Sequence, residues 1–225
     1  MSLFEINVSV LYSTPKYELH DTYTYFDPVT EIITIDKKRL INSDNFGTDF
    51  GFGIEVYGNM RLFKQEFVKL ITDIGFVQHE SKYPLQADGF SYGVRMYSFH
   101  IGAGLQINPL GEKIKFYPSF IELLRFSELG GESYHKAGLD FFVVSPRFGY
   151  STGINLNYRF NNKVGVSLGM FYNYDNLWNK ATKEDTFSDP HVINFRDAKS
   201  LTNGLNVDRR FIYMTIQGGI NIYFR

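Results

Sequence analysis

The sequence predicts an all-β fold: a closed, antiparallel, up-and-down barrel of eight strands that crosses a membrane with its apolar side outward. Three observations carry the prediction. Eight segments alternate apolar and polar residues with period two. The links between them alternate strictly between short and long. The polar face is crowded with Gly, Ser, Asn and Gln, where a wetted sheet usually carries Lys, Glu, Arg and Thr.

The elements follow in order. "LFEINVSVLYS" sets Phe4, Ile6, Val8, Val10 and Tyr12 against Glu5, Asn7 and Ser9. "FGFGIEVY" sets Phe50, Phe52, Ile54 and Val56 against Gly51, Gly53 and Glu55. "EFVKLITDIGFV" opposes Val68, Leu70, Thr72, Ile74 and Phe76 to Lys69, Ile71, Asp73 and Gly75. "YSFHIGAGLQIN" opposes Tyr97, Phe99, Ile101, Ala103, Leu105 and Ile107 to Ser98, His100, Gly102, Gly104, Gln106 and Asn108. The fifth segment, "IKFYPSFIELLRF", is blurred, and Pro118 predicts a bulge or a break in its ladder. "YSTGINLNYRFNNKVGVSLGMFYNY" reads as two strands around an Asn161-Asn162-Lys163 turn. "FIYMTIQGGINIYFR" ends the chain, with Ile212, Met214, Ile216, Ile220, Ile222 and Phe224 opposing Tyr213, Thr215, Gln217, Gly219, Asn221 and Tyr223.

Short links are expected at about Gly58 to Gln65, Pro109 to Lys113 and Asn161 to Lys163. Long ones are expected at about Thr14 to Gly47, Gln78 to Gly89, Ser127 to Pro146 and Asn176 to Asp208. All short links therefore fall at one end of the barrel. Within the first long link, Asp27-Pro28-Val29-Thr30 reads as the turn of an added hairpin, with Pro at a favoured position.

The bulk numbers agree. The chain has 225 residues, suiting one all-β domain over 1–225, a net charge of -1 and no cysteine. Balanced charge leaves no electrostatic footprint for nucleic acid. The lack of Cys excludes disulfides, thiolate metal sites and a Cys nucleophile. Phe 22 and Tyr 16 against one Trp is aromatic-heavy, yet the mean hydropathy is only -0.21. No run approaches the roughly 18 apolar residues of a membrane helix. That combination fits strands that are each half apolar. No secretory signal is read at the start, where Glu5 interrupts any apolar region, so the expectation is the mature form of an exported chain.

A small closed barrel has room inside only for side chains that fit its lumen. Gly102, Gly104, Gly153, Gly165, Gly169 and Gly219 suit such an interior. Ile154, Leu156, Val166, Leu168, Ile216 and Ile220 are then lipid-facing, and Tyr150, Tyr158, Phe160, Tyr172 and Tyr174 form interface aromatics. A soluble sandwich or barrel predicts no such alternation of loop lengths. Glu5, Glu55, Lys69, Asp73, His100 and Arg159 are expected in a polar lumen network, together with Lys115. Charges in a narrow interior must pair, which favours a salt-bridged plug over an open path. His20, Asp21, Asp27, His79, Glu80, His135 and His191 lack metal-ligand spacing, so neither metal nor cofactor is expected. The "NVS" at Asn7 is a formal glycosylation match inside a strand.

The strand count, the loop alternation and the closing strand "MTIQGGINIYFR" resemble the small eight-stranded outer-membrane proteins, the size class of the OmpA barrel and OmpX. The resemblance implies the outer membrane of a Gram-negative bacterium, short periplasmic turns and long extracellular loops. It implies contact with outer-membrane lipid and lipopolysaccharide. It also implies that the barrel-assembly machinery reads the terminal strand through Ile220, Ile222 and Phe224, although Arg225 follows the aromatic. The expected role is structural or surface-binding, through the long loops and with an envelope protein as one candidate partner. One alternative is a narrow channel for small solutes. Another is a lipid A-modifying acyl hydrolase or transferase. Its hardware would be Ser98 and His100, two apart on one strand, with Glu122 on the next, which loosely resembles the deacylase PagL. Both Ser98 and His100 are expected in the lumen, out of reach of a lipid ester, so a polar network is the favoured reading and no enzyme is expected.

Overall fold

The computed structural model describes residues 4–15, 24–27, 32–35, 48, 50–62, 67–80, 85–87, 90–111, 114–135, 138–178, 192–193, 198–199, 206–207 and 211–224. Eight long strands form the barrel: β1 (Phe4–Pro15), β2 (Phe50–Arg61), β3 (Val68–Glu80), β4 (Phe90–Ile107), β5 (Phe116–His135), β6 (Gly138–Arg159), β7 (Val164–Trp178) and β8 (Ile212–Phe224). Each pairs antiparallel with its neighbours in the chain, and β1 pairs with β8, so the sheet closes on itself. Among the described residues, no helix is long and apolar enough to cross a membrane.

The register is continuous around the barrel. From Tyr12, one direction leads through Phe52 to Gln78 on β3. The other leads through Ile216, Met170, Ile154, Phe120 and Ile107 to Val68 on the same strand, ten residues away. A stagger of this size tilts the strands about 40° from the barrel axis and leaves an interior that side chains fill.

Parity decides which side each residue takes. Val10, Phe52, Ile54, Leu124, Leu168, Ile216 and Ile220 are exposed on the outer wall, whereas Asn7, Ser9, Glu55, Ser98, Ser119, Asn155, Asn157 and Asn221 are buried inside. A water-soluble sheet would bury the first set. Here the solvent of the outer face must be lipid, and closure leaves no unpaired backbone edge facing it.

The short turns lie at one end. Asn161 closes the β6–β7 turn, its Oδ1 accepting from the amides of Lys163 at 2.8 Å and Val164 at 3.0 Å. In the β4–β5 turn, the amide of Gly111 donates to the carbonyl of Asn108 at 3.0 Å, and Gly111 sits at φ 64°, a conformation glycine adopts without cost.

The other end differs from expectation. The residues expected as a loop from Ser127 to Pro146 are mostly ladder: β5 runs to His135 and β6 starts at Gly138. The strands overshoot because β-favouring residues, Phe141 and Phe142 of β6 among them, continue the ladder opposite Glu132 and Gly131. Leu85–Ala87 folds back on the start of β4, and Val192–Ile193 pairs in parallel with Phe141 and Phe142 of β6. In the first long link Thr24–Asp27 pairs with Ile32–Ile35, as a hairpin there requires; Pro28, Val29 and Thr30 lie outside the described residues. Of the scattered loop residues, His20, Asp21 and His191 also lie outside them.

Pro118 makes no bulge. It pairs in register with Leu156, and the only shift in that ladder falls between Leu129 and Gly131. The β4 partner begins only at Phe120, so the missing N–H of Pro118 points to a side with no ladder. A bulge occurs instead near the end of β7, where the register shifts between Tyr174 and Trp178 and turns Asp175 and Asn176 both inward.

Candidate functional site

The lumen is filled in layers by the alternate residues of each strand that point inward. At the short-turn end the layer is polar. Lys69 Nζ donates to Glu5 Oε2 at 2.7 Å, with both side chains almost fully buried. Asn7 donates to Ser167 Oγ at 2.7 Å and to Asn221, which in turn donates to Asn157 Oδ1 at 3.2 Å. Arg159 stacks its guanidinium 4.0 Å from the centroid of the Tyr223 ring. Lys115, expected among these groups, is exposed beside the turn.

The next layer is mainly apolar. Tyr57, Ile71, Ile121, Leu123 and Phe171 form one buried apolar cluster across the lumen. The rings of Tyr57 and Phe171 stack at 5.9 Å with 19° between planes, and the Tyr57 hydroxyl is hydrogen-bonded to Gln217. Each of these strands carries its polar residue two positions further from the short turns.

Those polar residues make the third layer, centred on Arg125. Its Nε donates to Asp73 Oδ2 at 2.7 Å, its Nη1 to Asn173 Oδ1 at 2.6 Å and its Nη2 to Glu55 Oε1. His100 Nε2 lies 3.1 Å from Glu55 Oε1. Ser151 Oγ also donates to Asn173, at 2.8 Å. Glu55, Asp73 and His100 bring three ligand atoms within 4.8 Å of one another, a donor set that metals use. The positive charge there is already supplied by Arg125, which bonds both carboxylates. Above it, Ser98 Oγ and Tyr213 Oη both donate to Asp175 Oδ2, at 2.5 and 2.7 Å. Ser13 Oγ and His79 Nε2 lie 2.7 Å apart, and the His79 ring packs on Phe211 and Tyr213.

The sequence-predicted residues distribute as follows. Glu5, Glu55, Lys69, Asp73 and His100 are buried inside, and Arg159 caps the lumen's short-turn end. Ile154, Leu156, Val166, Leu168, Ile216 and Ile220 stand on the outer wall, as do Ile222 and Phe224. Tyr158, Phe160 and Tyr172 are exposed there, while Tyr150 and Tyr174 are half-buried. The three proposed catalytic groups are not brought together. Ser98 is bonded to Asp175 and His100 to Glu55, both inside. Glu122 points the other way, onto the outer wall, where Thr152 Oγ1 donates to it at 2.8 Å and the Tyr150 hydroxyl donates to its second oxygen.

Sequence reasoning missed Arg125, the hub of the lumen, because the blurred fifth segment hid its parity. The signal was present: Phe120, Leu124 and Phe126 share one face, which places Arg125 on the other. Tyr57 and Phe171 were missed because aromatics were read as outward groups. Gly153 and Gly169 mark the pocket that receives the Phe171 ring.

No protein-family model matches the chain, and no curated protein sequence matches it. Solved structures do. Neisserial surface protein A (NspA) aligns over 99% of this chain and 98% of its own at 12% identity, with a TM-score of 0.51. Ail, the attachment invasion locus protein of Yersinia pestis, aligns over 100% of both chains at 10% identity and a TM-score of 0.49. The outer membrane protein OprG from Pseudomonas aeruginosa covers 99% and 95% at 11% identity and 0.45. The likeness to NspA and the inside-out distribution of residues agree: the chain has the fold of the small eight-stranded outer-membrane β-barrels of Gram-negative bacteria.

Proposed function

We propose that the protein is an outer-membrane barrel that acts through its long-loop end, binding lipopolysaccharide or an envelope partner there, with a lumen that does not conduct. The observation that carries the reading is the apolar layer: Tyr57, Ile71, Ile121, Leu123 and Phe171 pack across the lumen between two polar layers. Ions crossing it would have to shed water against apolar walls. What remains available for interaction is the far end, where β4, β5 and β6 continue past the belt. Loops on a rigid barrel are where specificity is carried.

Two details support the membrane placement. Tyr158 and Phe160 near one end of β6 and Tyr172 and Tyr174 toward the other end of β7 fit headgroup-level girdles, whereas Tyr150 hydrogen-bonds Glu122 on the wall. Phe224 of the closing strand packs on Phe4 at 5.9 Å and offers the assembly machinery an outward aromatic. The Ser98 and His100 pair supports a structural role, since each is engaged inside the wall and neither meets lipid.

The test is reconstitution into planar bilayers and vesicles. The expected result is conductance at the bilayer's background level together with saturable binding of lipopolysaccharide or envelope extract, lost when the long loops are shortened. Steady single-channel events from the unmodified chain would overturn the closed-lumen reading.

A further inference from the structure

Glu122 is out of place. It lies on the outer wall of β5, six residues above Phe116 and six below Glu128, both exposed on the same face. Its ladder partners are Leu105 and Thr152. Around it Leu105, Phe120, Leu124 and Ile154 are exposed apolar side chains. Among the described residues it is the one ionisable side chain in this central part of the wall; Glu80, Arg95, Glu128 and Glu132 stand at the long-loop side, Lys115 and Lys163 at the turns. A carboxyl group at mid-depth facing lipid is costly, and such groups mark interaction sites in membrane proteins.

The wall around it is built to hold it. Thr152 Oγ1 and the Tyr150 hydroxyl donate one hydrogen bond to each carboxylate oxygen. A carboxylate has about four lone-pair positions, so each oxygen keeps further acceptor capacity. We propose that Glu122 is a lateral docking point, within the membrane, for a membrane-spanning partner that presents a lysine or arginine at mid-depth. Charge complementarity selects that occupant. A second copy of this chain is a poorer one, because the central wall among the described residues carries no cation and the hydroxyls of Thr72, Tyr150 and Thr152 there are already engaged. Ala103 and Thr72, outward on the adjoining β4 and β3, keep the wall low beside the site and let a partner approach.

The inference rests on the membrane-spanning reading, and one experiment separates the two. The full chain, carrying an acceptor dye, is folded into dioleoylphosphatidylcholine vesicles, and insertion is scored by protease protection and heat-modifiable migration. Donor-labelled leucine-rich transmembrane peptides with a central Lys, Leu or Glu are then titrated in. The expected result is energy transfer from the Lys peptide at about tenfold lower peptide-to-lipid ratio than from the Leu peptide, as one hydrogen-bonded pair in lipid would give. Glu122→Gln and Glu122→Leu should remove that preference while migration stays unchanged. Equal transfer from the Lys and Leu peptides to the inserted barrel overturns the proposal and leaves the membrane reading intact. Energy transfer between donor-labelled and acceptor-labelled barrels mixed without peptide, abolished in Glu122→Leu, overturns it in favour of a second copy. Failure to insert overturns both.

Discussion

Gly102 and Arg125 are ladder partners across β4 and β5, and a β-carbon on the glycine would sit 2.9 Å from Arg125 Cγ while overlapping the Asp73 carboxylate. The central ion pair thus fits only because one position in the facing strand has no side chain. Gly102→Ala is expected to destabilise the barrel by about 1–3 kcal/mol through overpacking. Gly218→Ala is the matched control, since a β-carbon there meets nothing within 4 Å. Urea unfolding of both variants in bilayers checks the difference; equal midpoints would contradict the packing argument.

Arg125 neutralises two buried carboxylates, so removing it strands both. Arg125→Ala should cost about 3–5 kcal/mol, the usual penalty for breaking a buried pair. Glu55→Gln should cost less, because the amide still accepts from the guanidinium. A double-mutant cycle between Arg125 and Asp73 isolates their coupling, expected at about 0.5–3 kcal/mol.

The apolar layer is the barrier that the closed-lumen reading needs. Tyr57→Ala combined with Phe171→Ala removes the two stacked rings and joins the polar layers above and below. Single-channel events above the unmodified background are the expected result in planar bilayers. Silence from a correctly migrating double variant would place the barrier elsewhere in the lumen.

Leu168 stands exposed on β7 between Val166 and Met170. Leu168→Arg should cost about 2–4 kcal/mol, as a cation at mid-depth on a barrel wall does. Asn162→Arg, in the exposed turn below it, should be neutral. The folded fraction in vesicles against urea concentration distinguishes them.

Much of this was legible in residue order, for a physical reason. Parity in a strand has no slack, so once Ile154, Leu156, Val166 and Leu168 were read as one face, Asn155, Asn157, Gly165 and Ser167 had to form the other. Where the pattern carried two messages, reading stopped. Pro118 looked like a break because its one laddered side could not be known in advance. Glu122 reads in the sequence only as a carboxylate on the strand next to Ser98 and His100, yet parity with Phe120 and Leu124 puts it on the outer wall. The overshoot of β5 and β6 was hidden because polar residues such as Glu128, Glu132 and Asp140 suit a strand in water as well as a loop. Tyr57 and Phe171 show the converse: an aromatic can belong to the lumen where glycines make space for it.

The ten-residue stagger has a last consequence, for assembly. β1 and β8 come from opposite ends of the chain, so their pairing has no hairpin to set its register. Shifting that seam by one residue would set Asn7 opposite Ile220 or Ile222 in place of Asn221, putting a lumen residue against a lipid-facing one. In the observed alignment Asn7 reaches both Asn221 and Ser167. The buried asparagines at the seam therefore act as an alignment check, with misregistered closure exposing polar groups to the bilayer.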